Sequence, residues 1–170
     1  MSDRPNMSSE VSRFEDIAAD FTARVERIGF AIVATVDAGL RPRTRIMQPV
    51  WEVDSARPVG WLITGRSSYK ARHIQTNPFI SIAYWDDKHE MVFVEAKALI
   101  VDDPATKREV WDLFSAGNGD YGYDPHRFFP AGPTDPDYCC IQLEPGRIGL
   151  ASLADRAARR PVRIWRPDPS

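Results

Sequence analysis

The chain has 170 residues and a formal net charge of −2, which describes one domain large enough for a substantial core and excludes bulk electrostatic binding to nucleic acid or an acidic membrane. No apolar run approaches the roughly 20 residues of a membrane span. The polar start, Met1 to Ser12, lacks the apolar stretch of a signal peptide, so the expected compartment is the cytoplasm.

Residues 1–11 read as a disordered lead-in, 12–151 as the folded domain and 152–170 as a basic C-terminal tail. Ser12 followed by Glu15 has the spacing of a capping box. Ile17, Phe21, Val25 and Ile28 then recur at helical spacing, and the helix should stop at Gly29. A β-rich run covers Phe30 to Asp37, a tight turn falls at Ala38-Gly39, and an alternating strand covers Arg41 to Val53. A short strand, W-L-I-T, ends at Gly65. Ser67-Ser68 open a second helix that Asn77-Pro78 close. Strands are expected over Phe79 to Trp85 and Met91 to Val101. Asp102-Asp103-Pro104 cap a third helix carrying Val110, Trp111 and Phe114. Residues 116–136 hold four glycines and four prolines and read as a long ordered loop. A last strand covers Tyr138 to Leu143 and resumes at Arg147 to Leu150. The tail carries Arg156, Arg159, Arg160, Arg163 and Arg166. Hairpin-linked strands with helices between some of them contradict the strict alternation of a doubly wound fold. They fit a mainly β fold, an antiparallel barrel with peripheral helices.

Two segments carry chemistry. In W-L-I-T-G-R-S-S-Y-K-A-R-H, Trp61 to His73, a strand passes through a glycine turn into a helix start. Free N–H groups and the helix dipole favour an anion there, with hydroxyls from Thr64, Ser67 and Ser68 and positive charge from Arg66 and Lys70. The same residues also fit a plain N-cap and a solvated lysine. In R-P-R-T-R-I-M-Q-P, Arg41, Arg43 and Arg45 share one strand face, where like charges repel unless solvent or an anion relieves them. Either the strand is a charged, exposed edge, or Arg45, the deepest of the three, completes the anion site with Lys70. Trp51, Trp61, Trp85 and Trp111 read as core before ring-stacking platforms, and His73 as surface or ligand contact. Cys139 and Cys140 read as small hydrophobes. Neither the histidines nor the cysteines have zinc-site spacing, so no metal is expected.

The ordered set V-A-T-V-D-A-G-L-R-P-R-T-R-I-M, W-L-I-T-G-R-S-S-Y-K-A-R-H-I-Q-T-N-P-F-I-S-I-A-Y-W and M-V-F-V-E-A-K-A resembles the pyridoxamine 5'-phosphate oxidase-like group of flavoproteins, with a looser echo in C-I-Q-L-E-P-G-R-I. The resemblance implies a six-stranded antiparallel split β-barrel that binds FMN at the interface of a homodimer and acts as an oxidoreductase on a small organic substrate. It implies contacts to FMN from Arg45 and Lys70 at the phosphate, from Ile46, Met47 and Gln48 along the ring, and from Ile63, Thr64, Ser68 and Tyr69 nearby. Tyr69 stands where the vitamin B6 oxidase has an arginine, and Met91 where it has a glutamine. The oxidase's R-L-H substrate motif is replaced by R-I-G-L-A-S-L-A-D-R, and no histidine follows His126. Pyridoxamine phosphate is therefore not the expected substrate. Related proteins use the deazaflavin F420, which is the alternative cofactor, and a flavin-binding sensor without turnover is the alternative to an enzyme. The aromatic loop with Tyr121, Tyr123, Phe128 and Phe129 is expected to roof the substrate cleft or to pack at the dimer interface.

Overall fold

The computed structural model describes residues 7–53, 57–116 and 124–168. Nine strands form one sheet: β1 (Ser8–Val11), β2 (Ala31–Val36), β3 (Pro42–Met47), β4 (Val50–Val53), β5 (Pro58–Gly65), β6 (Phe79–Trp85), β7 (Glu90–Val101), β8 (Tyr138–Ser152) and β9 (Val162–Trp165). Helices α1 (Glu15–Ile28), α2 (Tyr69–Thr76), α3 (Pro104–Ala116) and α4 (Leu153–Ala157) lie between them. No helix among the described residues is long and apolar enough to cross a membrane.

The ladders run β3-β2-β6-β7-β8-β5-β4, all antiparallel. The two ends of that path, β3 and β4, are consecutive in the chain. The single strand expected over Arg41 to Val53 is thus broken at Gln48-Pro49, where the proline offers no N–H to a ladder. One half pairs with β2 and the other with β5, so the barrel is split there. Counted as one interrupted strand, β3–β4 complete the six expected. β9 and β1 are an extension: β9 joins β8 at Ile148–Leu150, and β1 pairs parallel to β9. Ser8–Val11, expected in the unstructured lead-in, therefore belong to the sheet.

Two further expectations change. Ser12 makes no capping bond; Phe14 precedes the helix, only 2% exposed, and its ring packs edge-on against Phe21 and Trp165. Burial of that ring, not a side-chain cap, sets the entry to α1. The two pieces of the last strand are one, because Gly146 is an extra residue opposite Glu95/Ala96. This bulge carries the strand past Pro145. In the basic tail β9 joins the sheet through β8, and Arg163 is paired to Asp20, Arg166 to Glu10 and Arg160 to Asp155. The third helix is capped by Asp103 as expected, its carboxylate accepting from the Thr106 N–H at 2.8 Å.

Two apolar cores result. Inward residues of the barrel, among them Val33, Leu62, Ile82, Val94, Ile141 and Leu150, pack with Ile17 and Phe21 of α1 and Ile74 of α2. Outside β5 and β8, Trp61, Ile63, Tyr138 and Cys140 pack with Val110, Trp111 and Phe114 of α3 and with Phe129. Trp61 and Trp111 are therefore core, and partly buried Trp51 packs on the barrel core with its Nε1–H bonded to Tyr84 Oη at 2.8 Å, whereas Trp85 is 60% exposed. Both cysteines are fully buried, and burial pushes the Cys140 thiol up to about 12, which leaves it without nucleophilic character near neutrality.

Candidate functional site

The break in the barrel, the end of β5 and the start of α2 meet around a hollow of about 370 Å³. Ile46, Met47 and Gln48 line it from the β3 end, Ile63, Thr64 and Gly65 from β5, and Lys70 from α2. Phe30, Phe114, Phe128 and Phe129 form an aromatic wall, and Asp137 lies at the foot of β8. Six of the nine expected site residues therefore share one cavity wall. Of the aromatic loop, Phe128 and Phe129 line the hollow, and Tyr121 and Tyr123 lie outside the described residues.

Local chemistry places these groups. Ser68 caps α2, its Oγ accepting from the Ala71 N–H at 3.3 Å and lying 3.3 Å from Thr64 Oγ1. At Gly65 the chain passes close to Asp137: a Cβ there would sit 2.6 Å from Asp137 Oδ2 and displace that carboxylate. Asp137 in turn accepts the Ser67 N–H at 3.1 Å and, at its backbone carbonyl, the Arg66 N–H at 2.7 Å. The turn before α2 is thus largely satisfied from within the protein, and an anion site must rest more on side-chain cations than on free N–H groups.

Of the cations expected there, Arg66 is turned away and pairs with Asp102. Arg41 and Arg43 both pair with Asp37, whose carboxyl is held at about 2, first by the Arg41 backbone N–H and also by the Arg43 guanidinium. The strand's shared positive face is thus relieved at its outer end by one aspartate. Arg45 differs. It is partly buried, and its NH1 donates to Val33 O at 3.2 Å and Thr35 Oγ1 at 2.8 Å. Neither Arg45 nor Lys70 has an ion pair among the described residues. Burial lowers the pKa of both, and Arg45's positive charge lowers that of Lys70 further. Two desolvated like charges with no carboxylate between them are costly unless an anion joins them. Arg45 is not among the residues that line the hollow, but its charge is felt by Lys70, which does line it.

The remaining expected residues are placed differently. Tyr69 is 74% exposed beneath the Arg72 guanidinium, 4.7 Å from its ring centroid, and does not line the hollow. His73 faces inward, its Nδ1 2.9 Å from Thr35 Oγ1. Gln48 Oε1 is buried without a hydrogen-bond partner, an unmet acceptor at the cavity wall. Phe30, Phe114 and Asp137 were not legible as site residues, because elements distant in sequence bring them to the hollow.

A sequence model described as pyridoxamine 5'-phosphate oxidase matches residues 17–151 of the chain. No curated protein shows significant similarity to it. Among solved structures, a Clostridium acetobutylicum protein related to general stress protein 26 superposes with a TM-score of 0.64 at 21% identity, covering 81% of this chain and 89% of its own. A pyridoxamine 5'-phosphate oxidase-related, FMN binding protein from Nostoc punctiforme gives 0.63 at 19% identity over 85% and 86% of the two chains. A structure named F420 reductase gives 0.57 at 20% identity over 74% and 93%. At these identities the structures establish the shared fold.

Proposed function

Because the chain belongs to the pyridoxamine 5'-phosphate oxidase family, we propose that it is a flavoprotein that binds FMN in the hollow beside the break in the barrel and acts as an oxidoreductase on a small organic substrate. The observation that carries this reading is the pair Arg45 and Lys70, partly buried, mutually repelling and without a carboxylate partner among the described residues. A phosphate ester supplies the missing negative charge and accepts charged hydrogen bonds from both. The hollow falls in the range of about 300–1,000 Å³ that holds cofactor-sized ligands.

FMN, when bound, supplies the electron-transfer chemistry. The chain's part is to anchor and to shield. Arg45 and Lys70 hold the phosphate, Ile46 to Gln48 flank the ring, and Phe128 and Phe129 restrict water. Pyridoxamine phosphate is not the substrate proposed: Arg147, in the region that stands where the oxidase has its substrate motif, is paired with Glu95 at 3.1 Å. The test is the visible spectrum of the purified protein after incubation with FMN or F420 and gel filtration. Retained FMN absorption supports the reading. A chain that retains F420 and not FMN, or neither, overturns it.

The outer face of the same strands supports a homodimer. The ladder registers place Ile46, Ile32, Ala83 and Phe93 in one row across β3, β2, β6 and β7. Ile46 is 64% exposed, Ile32 49% and Phe93 38%. Such a row is disfavoured in water and is suited to a second copy of the chain. Ile46 also lines the hollow, so a partner seated on this face abuts the cofactor. Ile32→Asp is expected to convert a dimer into a monomer by light scattering and to reduce retained FMN. An unchanged dimer mass would place the interface elsewhere.

A further inference from the structure

We infer that Thr35, supported by His73, is a positioning residue that aims Arg45 at the anion; the inference rests on the flavin reading above. Thr35 is 1% exposed, and its hydroxyl lies 2.8 Å from Arg45 NH1 and 2.9 Å from His73 Nδ1. A guanidinium only donates, so Thr35 Oγ1 must accept from Arg45. The hydroxyl has one hydrogen, and the arrangement that gives it an acceptor sends it to an unprotonated His73 Nδ1. In that arrangement the ring hydrogen of His73 sits on Nε2. A hydroxyl that donates to imidazole is the better acceptor for the guanidinium, because hydrogen bonds in a chain polarise one another.

This arrangement decides which edge of Arg45 is free. NH1 carries two hydrogens, and Val33 O and Thr35 Oγ1 take them both. Nε and NH2 make no hydrogen bond among the described residues, and together they form the edge that grips an oxyanion through two parallel bonds. Thr35 and Val33 thus hold the guanidinium from behind by a single nitrogen and leave its fork open. The helix that supplies His73 also supplies Lys70 one turn earlier. The relay therefore ties both cations of the site to one piece of backbone.

The test compares FMN with riboflavin, which lacks the phosphate, by fluorescence titration of the full chain. Thr35→Val keeps the shape and removes the hydroxyl. It is expected to weaken FMN by about tenfold while changing riboflavin by less than about twofold, and Thr35→Ser is expected to restore FMN binding. His73→Leu removes the terminal acceptor and is expected to weaken FMN selectively, by a smaller factor; it decides the matter if Thr35→Val does not fold. Unchanged FMN affinity in Thr35→Val, or an equal loss for FMN and riboflavin, overturns the inference alone. A native chain that binds neither compound overturns the flavin reading, and this inference with it.

Discussion

Lys70→Ala is expected to weaken FMN binding by about 1–3 kcal/mol, roughly five- to 150-fold, without lowering the melting temperature of the cofactor-free protein. Loss of a charged hydrogen bond to phosphate sets the first number. The second expectation follows from the surroundings of Lys70. Burial and the neighbouring Arg45 both disfavour its ammonium, so removing it relieves a cost in the empty protein. An ordinary structural lysine shows the opposite pattern, with stability falling and binding unaffected. Arg45→Ala should behave in the same way towards FMN. Because the two cations share one anion, the double variant should depart from the sum of the singles. Isothermal titration of the four proteins checks the cycle, and strict additivity would mean that the cations act at separate places.

The largest expected effect on stability is at Gly60. It stands directly across the ladder from Trp51. A Cβ on Gly60 would lie 2.6 Å from Trp51 Cζ3, 2.8 Å from Cε3 and 2.9 Å from Cη2. The indole cannot withdraw easily. Its Nε1–H donates to buried Tyr84 Oη at 2.8 Å, and its ring packs edge-on against Phe21 at 5.3 Å between centroids. Gly60→Ala should therefore cost about 2–3 kcal/mol, at the upper end of overpacking penalties. For a chain of this length that is a fall of about 4–12 °C in melting temperature. Calorimetry reads it directly, and an unchanged midpoint would show that Trp51 is free to move.

Where punctuation was local, the sequence was easily read. Ser68 and Asn77-Pro78 bracket α2, and Phe79 to Trp85 form a strand with the limits their alternation implies. The misses share a different origin. Alternation continues through Gln48-Pro49, and only the choice between β2 and β5 as partner shows that the strand is broken there. The interruption expected between Leu143 and Arg147 is absent because an extra Gly146 is accommodated opposite Glu95 and Ala96 of another strand. Ser8–Val11 and Val162–Trp165 are too short to signal alone and become strands by pairing across most of the chain. At the site, Lys70 and Arg45 were legible from the glycine turn and from strand periodicity. That Arg66 belongs to Asp102, and that Thr35 joins Arg45 to His73, are facts of tertiary geometry.

The most direct measurement is a crystal structure of the chain with FMN. The account predicts the phosphate between the Lys70 ammonium and the Nε/NH2 edge of Arg45, each about 3 Å from a phosphate oxygen, with the ring beside Ile46 to Gln48. A flavin bound with its phosphate in solvent or on other residues, and with both cations unengaged, would contradict it.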